Sequence, residues 1–211
     1  MTLTENLKSF ELTKTDALII IDVQNDFLPG GALAVPDGDA VIEPIAEIAP
    51  LFDTIVLTQD WHTPDHVSFA SQRDGAEPFD TVEGEDGVDV LWPDHCVMGT
   101  KGAELNLPPE VLARAQTVIR KGYRPTVDSY SGFVENDGKT LTGLAGYLRE
   151  RGITRIFLAG LATDYCVGFT ALHGREADFD VVLIEAACRG IEPATELERK
   201  LQMHQAGVVV A

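Results

Sequence analysis

Six short runs rich in apolar and β-branched residues predict the strands of a β-sheet. They occupy residues 17–21, 53–58, 116–120, 153–159, 180–184 and 207–210. Unbroken apolar runs are typical of strands that are buried on both faces, as in parallel sheets. Apolar residues at helical spacing predict helices from residue 37 or 39 to about 51, from 141 to 152, from 163 onward and from 192 to 205. This alternation predicts a three-layer α/β/α sandwich around a six-stranded, mostly parallel sheet.

The pattern is interrupted between residues 60 and 109, a long segment that is rich in glycine and aspartate. Segments of this length without helices or strands are usually functional or disordered. Scattered aromatic side chains, Trp61, Phe69, Phe79 and Trp92, favour an ordered segment, and three of the five histidines also lie here. We therefore expect this segment to contribute to function. The acidic stretch 83–89 is predicted to be a solvated turn.

Size and charge restrict the class of protein. A chain of 211 residues suits one domain, spanning 1–211, with one sizeable core. The net charge of −18 argues against nucleic acid or an anionic membrane as partner, because both are polyanions. No stretch is apolar for long enough to cross a bilayer, and the polar start is unlike a signal peptide. Three cysteines make no disulfide framework in a chain of this size, so we expect a reducing, cytoplasmic location.

Reactive side chains follow four of the predicted strands. Asp22, Asp60 and Lys121 each stand at a strand end, and Cys166 follows the strand 153–159 after a short loop. Ligands bind outside the carboxyl ends of the strands in an open parallel sheet, so we expect these side chains to meet at one rim. Each of them alone has an ordinary explanation as a turn, cap, solvated or buried residue. Their shared placement favours a catalytic site.

Cys166 is the candidate nucleophile. It lies in the first turn of the predicted helix, for which Thr163 or Asp164 can provide the N-terminal cap. A helix start carries partial positive charge and therefore favours thiolate over thiol. The thiolate can add to an amide carbonyl, while a carboxylate such as Asp22 carries the proton to the leaving ammonia. A lysine beside both, which we expect to be Lys121, keeps the carboxylate ionised.

A second group of residues has the spacing of metal ligands. Asp60, His62 and His66 are spaced Asp-x-His-x-x-x-His, and His95 follows in the same glycine-rich segment. One carboxylate and two or three imidazoles suit Zn²⁺, Fe²⁺ or Mn²⁺ with open positions for water or substrate. A lone histidine is more often a surface or core residue, but the grouping in one segment favours a metal site.

Several motifs together carry a resemblance to a known family. They occupy residues 21–27, 30–33, 59–62, 92–96, 120–122, 128–131 and 160–167. On these motifs the chain resembles the nicotinamidase/pyrazinamidase family of the isochorismatase-like cysteine hydrolase superfamily, and the similarity extends from residue 17 to 210. The Asp, Lys and Cys set alone indicates only the superfamily. The more specific part is the metal segment with Trp-Pro-x-His-Cys at 92–96.

The resemblance implies a role for each matching residue at the reaction centre. Cys166 is expected to be the nucleophile, Asp22 the general acid/base and Lys121 its ion-pair partner. The backbone N–H groups of Ala162 and Cys166 are expected to form an oxyanion hole, and the Leu161–Ala162 peptide bond is expected to be cis.

The resemblance also implies a metal ion and a substrate pocket. Asp60, His62 and His95 match the ligands of one divalent ion, Zn²⁺ or Fe²⁺, with Mn²⁺ as a third candidate. His66 matches a histidine that binds metal in only some members, so it stays outside this set. The residues that are expected to line an apolar, aromatic slot for a pyridine ring are Phe27, Leu33, Trp92, Tyr130 and Tyr165.

The implied activity is hydrolysis of nicotinamide, and also of pyrazinamide, through a cysteine thioester in NAD salvage. The expected partner is therefore a small molecule, and the oligomeric state is left open, including a homo-oligomer. One alternative is an amidohydrolase of the same superfamily that acts on an N-carbamoyl or ureido compound and needs no metal ligand for a ring nitrogen. Another is a sensor without catalysis, which needs the pocket but not the nucleophile. Release of ammonia from nicotinamide separates these alternatives.

Overall fold

The structure, a computed structural model, describes residues 2–84 and 87–211 of the chain. Helices and strands alternate along most of this length. In chain order they are α1 (Leu3–Lys8), β1 (Asp16–Ile21), α2 (Ile42–Ile48), β2 (Thr54–Asp60), β3 (Thr81–Gly84), β4 (Gly87–Val90), α3 (Pro109–Leu112), β5 (Thr117–Lys121), α4 (Leu144–Glu150), β6 (Arg155–Leu161), α5 (Gly168–Glu176), β7 (Asp180–Arg189), α6 (Pro193–Gln205) and β8 (Val209–Val210).

Six of these strands form one sheet in the order β5-β2-β1-β6-β7-β8, and each neighbouring pair is parallel. From β1 the chain proceeds through β2 to β5 on one side, and from β6 through β7 to β8 on the other. The crevice at the carboxyl ends of β1 and β6 is therefore a topological switch point, where open α/β sheets bind their ligands. The strands β3 and β4 form a separate antiparallel hairpin.

Side chains of the central strands alternate between two apolar cores, one on each face of the sheet. Leu18 packs with Ile45 of α2 on one face, whereas Ile19 packs with Leu148 of α4 on the other. All four side chains are fully buried. Burial of each such side chain contributes about 1.5–3 kcal/mol. This two-sided burial explains why the strands are unbroken apolar runs in the sequence.

The predicted three-layer sandwich is confirmed, but several element limits differ. β2 extends to Asp60 and β5 to Lys121, so both side chains end their strands instead of following them, and they are paired in register. The helix predicted to reach residue 51 stays α-helical only over α2, with 3₁₀ turns at Gly38–Val41 and Ala49–Leu51. Pro50 lies in the second turn and cannot donate a backbone hydrogen bond, which explains why the α-helix ends before it.

Three elements were not predicted: α1, α3 and the β3–β4 hairpin. α1 begins with reciprocal hydrogen bonds between Thr2 and Glu5, a capping box. The predicted solvated turn at 83–89 coincides with the end of the hairpin, and its residues 85 and 86 lie outside the described residues. Across the described ranges no helix has the length and apolar character that crossing a bilayer requires.

Candidate active site

Cys166 lies in a π-helical turn, Thr163–Val167, that connects β6 to α5. The approach to this turn is tight, because Gly160 has a φ of 120° and any side chain there would clash with the backbone of Ile21 in β1. The following Leu161–Ala162 peptide bond is cis, as the family resemblance implied. Glycine at 160 therefore lets β6 lie close against β1 where the reactive residues meet.

Lys121 connects the predicted reactive side chains. Its Nζ lies 2.8 Å from Asp22 Oδ2 and 3.3 Å from Cys166 Sγ. The same atom also contacts Asp60 Oδ1 at 2.5 Å and the backbone oxygen of Ser129 at 3.0 Å. The three hydrogen bonds that Nζ donates, to Asp60, Ser129 and Cys166, match the three protons of an ammonium group, and Asp22 is its ion-pair partner. The structure thus brings together the cysteine, the lysine and both aspartates that the sequence placed at strand ends.

Burial and charge determine the protonation of this set. Burial raises the pKa of Asp22, and the adjacent Lys121 only partly offsets it. Burial alone would lower the pKa of Lys121, but the carboxylates of Asp22 and Asp60 outweigh it and hold that pKa well above its usual value. Burial also raises the pKa of the Cys166 thiol well above its usual value, against the opposing effect of Lys121. The prediction that the helix start favours thiolate is therefore wrong for the free protein, because burial favours the thiol form of Cys166.

The carboxylate of Asp22 has a second donor that sequence reasoning missed. Thr58 of β2 donates its hydroxyl to Asp22 Oδ1 at 2.6 Å, and both side chains are fully buried. Asp22 itself has a left-handed backbone, with a φ of 50°, directly after β1. One carboxylate oxygen is thus held by Thr58, and the other faces Lys121 and the thiol.

Asp60, His62 and His95 form a compact set of potential metal ligands, and one atom from each lies within 4.8 Å of the others. The Nε2 atoms of His62 and His95 lie 3.5 and 3.7 Å from Asp60 Oδ2. Their Nδ1 atoms lie 2.9 and 2.8 Å from the backbone oxygens of Gly122 and Pro93, so Nδ1 carries the proton and Nε2 has a free lone pair. This donor chemistry fits a divalent metal ion.

His66 differs from the two other histidines of the segment. Its Nδ1 lies 2.7 Å from the Ser68 hydroxyl, and its Nε2 lies 3.3 Å from the backbone oxygen of Val127. Both ring nitrogens therefore have protein partners. This arrangement agrees with leaving His66 outside the proposed ligand set, although it also lies in a group with His62 and Asp128.

Gln24 fixes the backbone of Asp60. Its side-chain oxygen accepts from the N–H of Asp60 at 2.8 Å, and its amide donates to the carbonyl of Asp60 at 2.9 Å. The same amide group donates to Ala103, also at 2.9 Å. Gln24 is fully buried. Sequence reasoning missed this role, and the only signal was an uncharged polar side chain three residues after the end of a buried strand.

A cavity opens directly above these groups and, with its mouth, encloses about 360 Å³. All five side chains that were predicted to line a slot do line it: Phe27, Leu33, Trp92, Tyr130 and Tyr165. Trp92 orders the aromatic wall through two contacts. Its indole N–H donates to the Tyr130 hydroxyl at 3.2 Å. Its ring packs edge to face with the ring of Tyr165, with the two ring centroids 4.8 Å apart. Two further lining residues, Asp128 and Ile191, were not predicted.

The predicted cap of α5 is wrong. Neither Thr163 nor Asp164 caps the turn, which has no side-chain cap hydrogen bond. Asp164 instead accepts from the N–H groups of Ile191 and Glu192 at 3.0 and 3.1 Å, at the start of α6. It also accepts from the Thr195 hydroxyl at 2.8 Å. The turn that carries Cys166 is thereby joined to the pocket wall at Ile191.

Comparisons with known proteins agree with this site. Residues 16–211 match the family model of the isochorismatase domain. A nicotinamidase of Acinetobacter baylyi is 50% identical over 186 residues, which cover 88% of this chain and 86% of the relative. A solved nicotinamidase/pyrazinamidase of Acinetobacter baumannii has a TM-score of 0.89 at 47% identity, over 94% of this chain and 96% of that chain.

Two further structures contain ligands. A protein of L. infantum in complex with nicotinate has a TM-score of 0.82 at 40% identity, over 95% of this chain and 94% of that chain. A pyrazinamidase of Pyrococcus horikoshii in complex with zinc has a TM-score of 0.76 at 36% identity, over 93% of this chain and 98% of that chain.

A parallel α/β sheet with cysteine, lysine and aspartate at its switch point defines a hydrolase-type active site. The chain belongs to the isochorismatase family. The relatives confirm the predicted relationship to nicotinamidases and pyrazinamidases, and with it the prediction of an amidohydrolase enzyme.

Proposed function

We propose that the protein hydrolyses nicotinamide to nicotinate and ammonia, and also accepts pyrazinamide. The observation that carries this proposal is the contact of Lys121 Nζ with both Cys166 Sγ and Asp22 Oδ2, at the base of an aromatic cavity. The activities named for the relatives, and the nicotinate bound to one of them, support the same substrate.

In the first half-reaction, Asp22 accepts the proton of the Cys166 thiol as the sulfur adds to the carboxamide carbon. A thiol with a raised pKa is matched by a carboxylate whose pKa is also raised, so the proton transfer is less uphill. The N–H groups of Ala162 and Cys166 stabilise the oxyanion. Asp22 then returns the proton to the nitrogen, the C–N bond breaks, and ammonia leaves a thioester on Cys166.

In the second half-reaction, Asp22 takes a proton from water, and the hydroxide that forms attacks the thioester carbonyl. The C–S bond breaks, the sulfur regains a proton from Asp22, and nicotinic acid leaves and gives up its own proton to solvent as nicotinate. Lys121 keeps its charge throughout, because two carboxylates hold its pKa well above the usual value. Its charge stabilises the transient thiolate.

We propose that Asp60, His62 and His95 hold one divalent metal ion, with Zn²⁺ and Fe²⁺ as the first candidates and Mn²⁺ as a third. Such an ion would supply a Lewis acid for the ring nitrogen, which would orient the carboxamide. The free Nε2 lone pairs of both histidines support this assignment, as does the zinc of the Pyrococcus relative.

The aromatic wall provides the remaining specificity in this proposal. Trp92, Tyr130 and Tyr165 meet edge to face and so form an ordered aromatic wall against which a flat ring can pack. Phe27 and Leu33 line the same cavity. We also propose that the chain is a single hydrolase domain that acts in the cytoplasm in NAD salvage.

Release of ammonia from nicotinamide tests the proposal directly. Cys166→Ala should abolish the release but retain ligand binding, whereas Cys188→Ala, at another buried cysteine, should retain turnover. Normal ammonia release by Cys166→Ala would contradict the mechanism. Hydrolysis of an N-carbamoyl compound but not of nicotinamide would favour the alternative amidohydrolase.

A further inference from the structure

Asp128 places a carboxylate in the cavity wall that the mechanism does not use. Its side chain is half-buried, and one of its oxygens lies within 4.8 Å of ring nitrogens of His62 and His66. Burial, followed by the charge of Asp128, raises the pKa of the Tyr130 phenol across the same cavity. These contacts show that the carboxylate, and not only the backbone, faces the pocket.

The charge of Asp128 is not balanced in the way that the two other carboxylates are. Asp22 and Asp60 share the ammonium of Lys121. The hydrogen bond recorded for Asp128 comes from the N–H of Ser129 at 2.7 Å, and among the described residues no lysine or arginine forms an ion pair with it.

The nearest arginine along the chain is engaged elsewhere. Arg124 forms ion pairs with Glu135 at 2.7 Å and with Asp137 at 3.1 Å. Asp128 therefore adds a negative charge to the cavity wall that no lysine or arginine among the described residues neutralises as an ion pair.

We propose that Asp128 makes the pocket select the neutral carboxamide over the anionic carboxylate, and that it thereby promotes release of the acid product. This inference rests on the proposed function, in which substrate and product differ mainly in charge. A carboxylic acid is ionised near neutral pH, so the product is repelled by Asp128 and the amide is not. Hydrolysis thus converts a tolerated ligand into a disfavoured one in the same cavity.

The size of the effect follows from Coulomb's law. Two unit charges about 7 Å apart, in an effective dielectric constant between about 20 and 80, change a binding constant roughly 3- to 60-fold. Removing the charge of Asp128 should therefore tighten nicotinate binding about tenfold. Nicotinamide, which has no net charge, should be affected far less.

Asp128→Asn tests the proposal, because asparagine keeps an acceptor for the N–H of Ser129 and removes the charge. Asp128→Ser provides a second neutral variant if the first folds poorly, and Asp128→Glu restores the charge. Asp53→Asn is the matched control, since it makes the same change in net charge on an exposed residue before the opposite end of β2. Metal content is measured for each variant so that loss of metal is not mistaken for loss of repulsion.

The measurements are the inhibition constant of nicotinate and the Michaelis constant of nicotinamide, with calorimetric binding of both ligands in the Cys166→Ala background. We expect the neutral variants to bind nicotinate about tenfold more tightly, with the constant for nicotinamide within about twofold of wild type. Asp128→Glu and Asp53→Asn should retain the wild-type ratio. An unchanged nicotinate constant, or equal tightening of both ligands, would overturn the role of Asp128. Wild-type protein that neither binds nor hydrolyses nicotinamide would instead overturn the proposed function.

Discussion

The hydrogen bond from Thr58 to Asp22 gives the sharpest test of the proposed acid/base chemistry. Thr58→Val keeps the shape of the side chain and removes the hydroxyl that donates to Asp22 Oδ1 at 2.6 Å. A hydrogen bond to a charged group contributes about 1.5–3 kcal/mol, and each pKa unit corresponds to about 1.4 kcal/mol. The pKa of Asp22, already raised by burial, should therefore rise by roughly a further 1–2 units.

The sign of the effect on activity follows from the role of Asp22 as a base. A higher pKa leaves a larger fraction of Asp22 protonated at any given acidic pH, so the acid limb of kcat/KM should move to higher pH. The limb reports the protonation of the whole Asp22, Lys121 and Cys166 set. Above the limb, activity should approach that of the wild type.

The assay is ammonia release from nicotinamide as a function of pH. Thr58→Ser, which keeps the hydroxyl, should restore the wild-type limb. Thr54→Val makes the same substitution at the other end of β2 and should leave the limb in place. A Thr58→Val profile whose acid limb superimposes on that of the wild type would refute the assignment of Asp22 as the base.

Three further predictions concern the metal site and the turn that carries Cys166. Removal of metal by a chelator should abolish turnover, and addition of Zn²⁺, Fe²⁺ or Mn²⁺ should restore it. The His62→Ala variant should contain less metal by elemental analysis. Full metal content in that variant would count against Asp60, His62 and His95 as the ligand set. Thr163→Val should raise Tm by about 2–4 °C, because the buried hydroxyl of Thr163 has no hydrogen-bond partner among the described residues; a lower Tm would contradict this. Asp164→Ala should lose about 1–3 kcal/mol of stability and also lower kcat, because it leaves the N–H groups of Ile191 and Glu192 unpaired. Calorimetry measures the stability and the ammonia assay measures kcat. Unchanged values would refute the role of Asp164 in joining the Cys166 turn to the start of α6.

The sheet could be predicted because its central strands are buried on both faces, so their apolar runs are continuous in the sequence. The convergence of Asp22, Asp60, Lys121 and Cys166 followed from one rule, that parallel strands present their carboxyl ends at one edge. The exact ends of the strands could not be predicted, since the last residues of β2 and β5 are the polar residues Asp60 and Lys121 themselves. Their strand geometry depends on pairing with each other, which no local pattern contains.

The residues that position the site, Gln24 and Asp164, were missed because their hydrogen-bond partners are distant in the sequence. Gln24 and Asp60 are 36 residues apart, and Asp164 and Ile191 are 27 residues apart. Polar side chains after a strand or in a turn are common for local reasons, so neither position indicated a distant partner. The protonation of Cys166 was mispredicted because the sequence shows the helix start but not the depth of burial, and burial dominates the pKa.

The hydrogen bonds between Gln24 and both backbone groups of Asp60 hold this candidate ligand in position without the help of a metal ion. The three candidate ligand side chains are positioned by the polypeptide alone, so an arriving ion has little ordering to perform. If Asp60, His62 and His95 hold an ion as proposed, its removal should leave these side chains in place, and turnover should return when metal is added back.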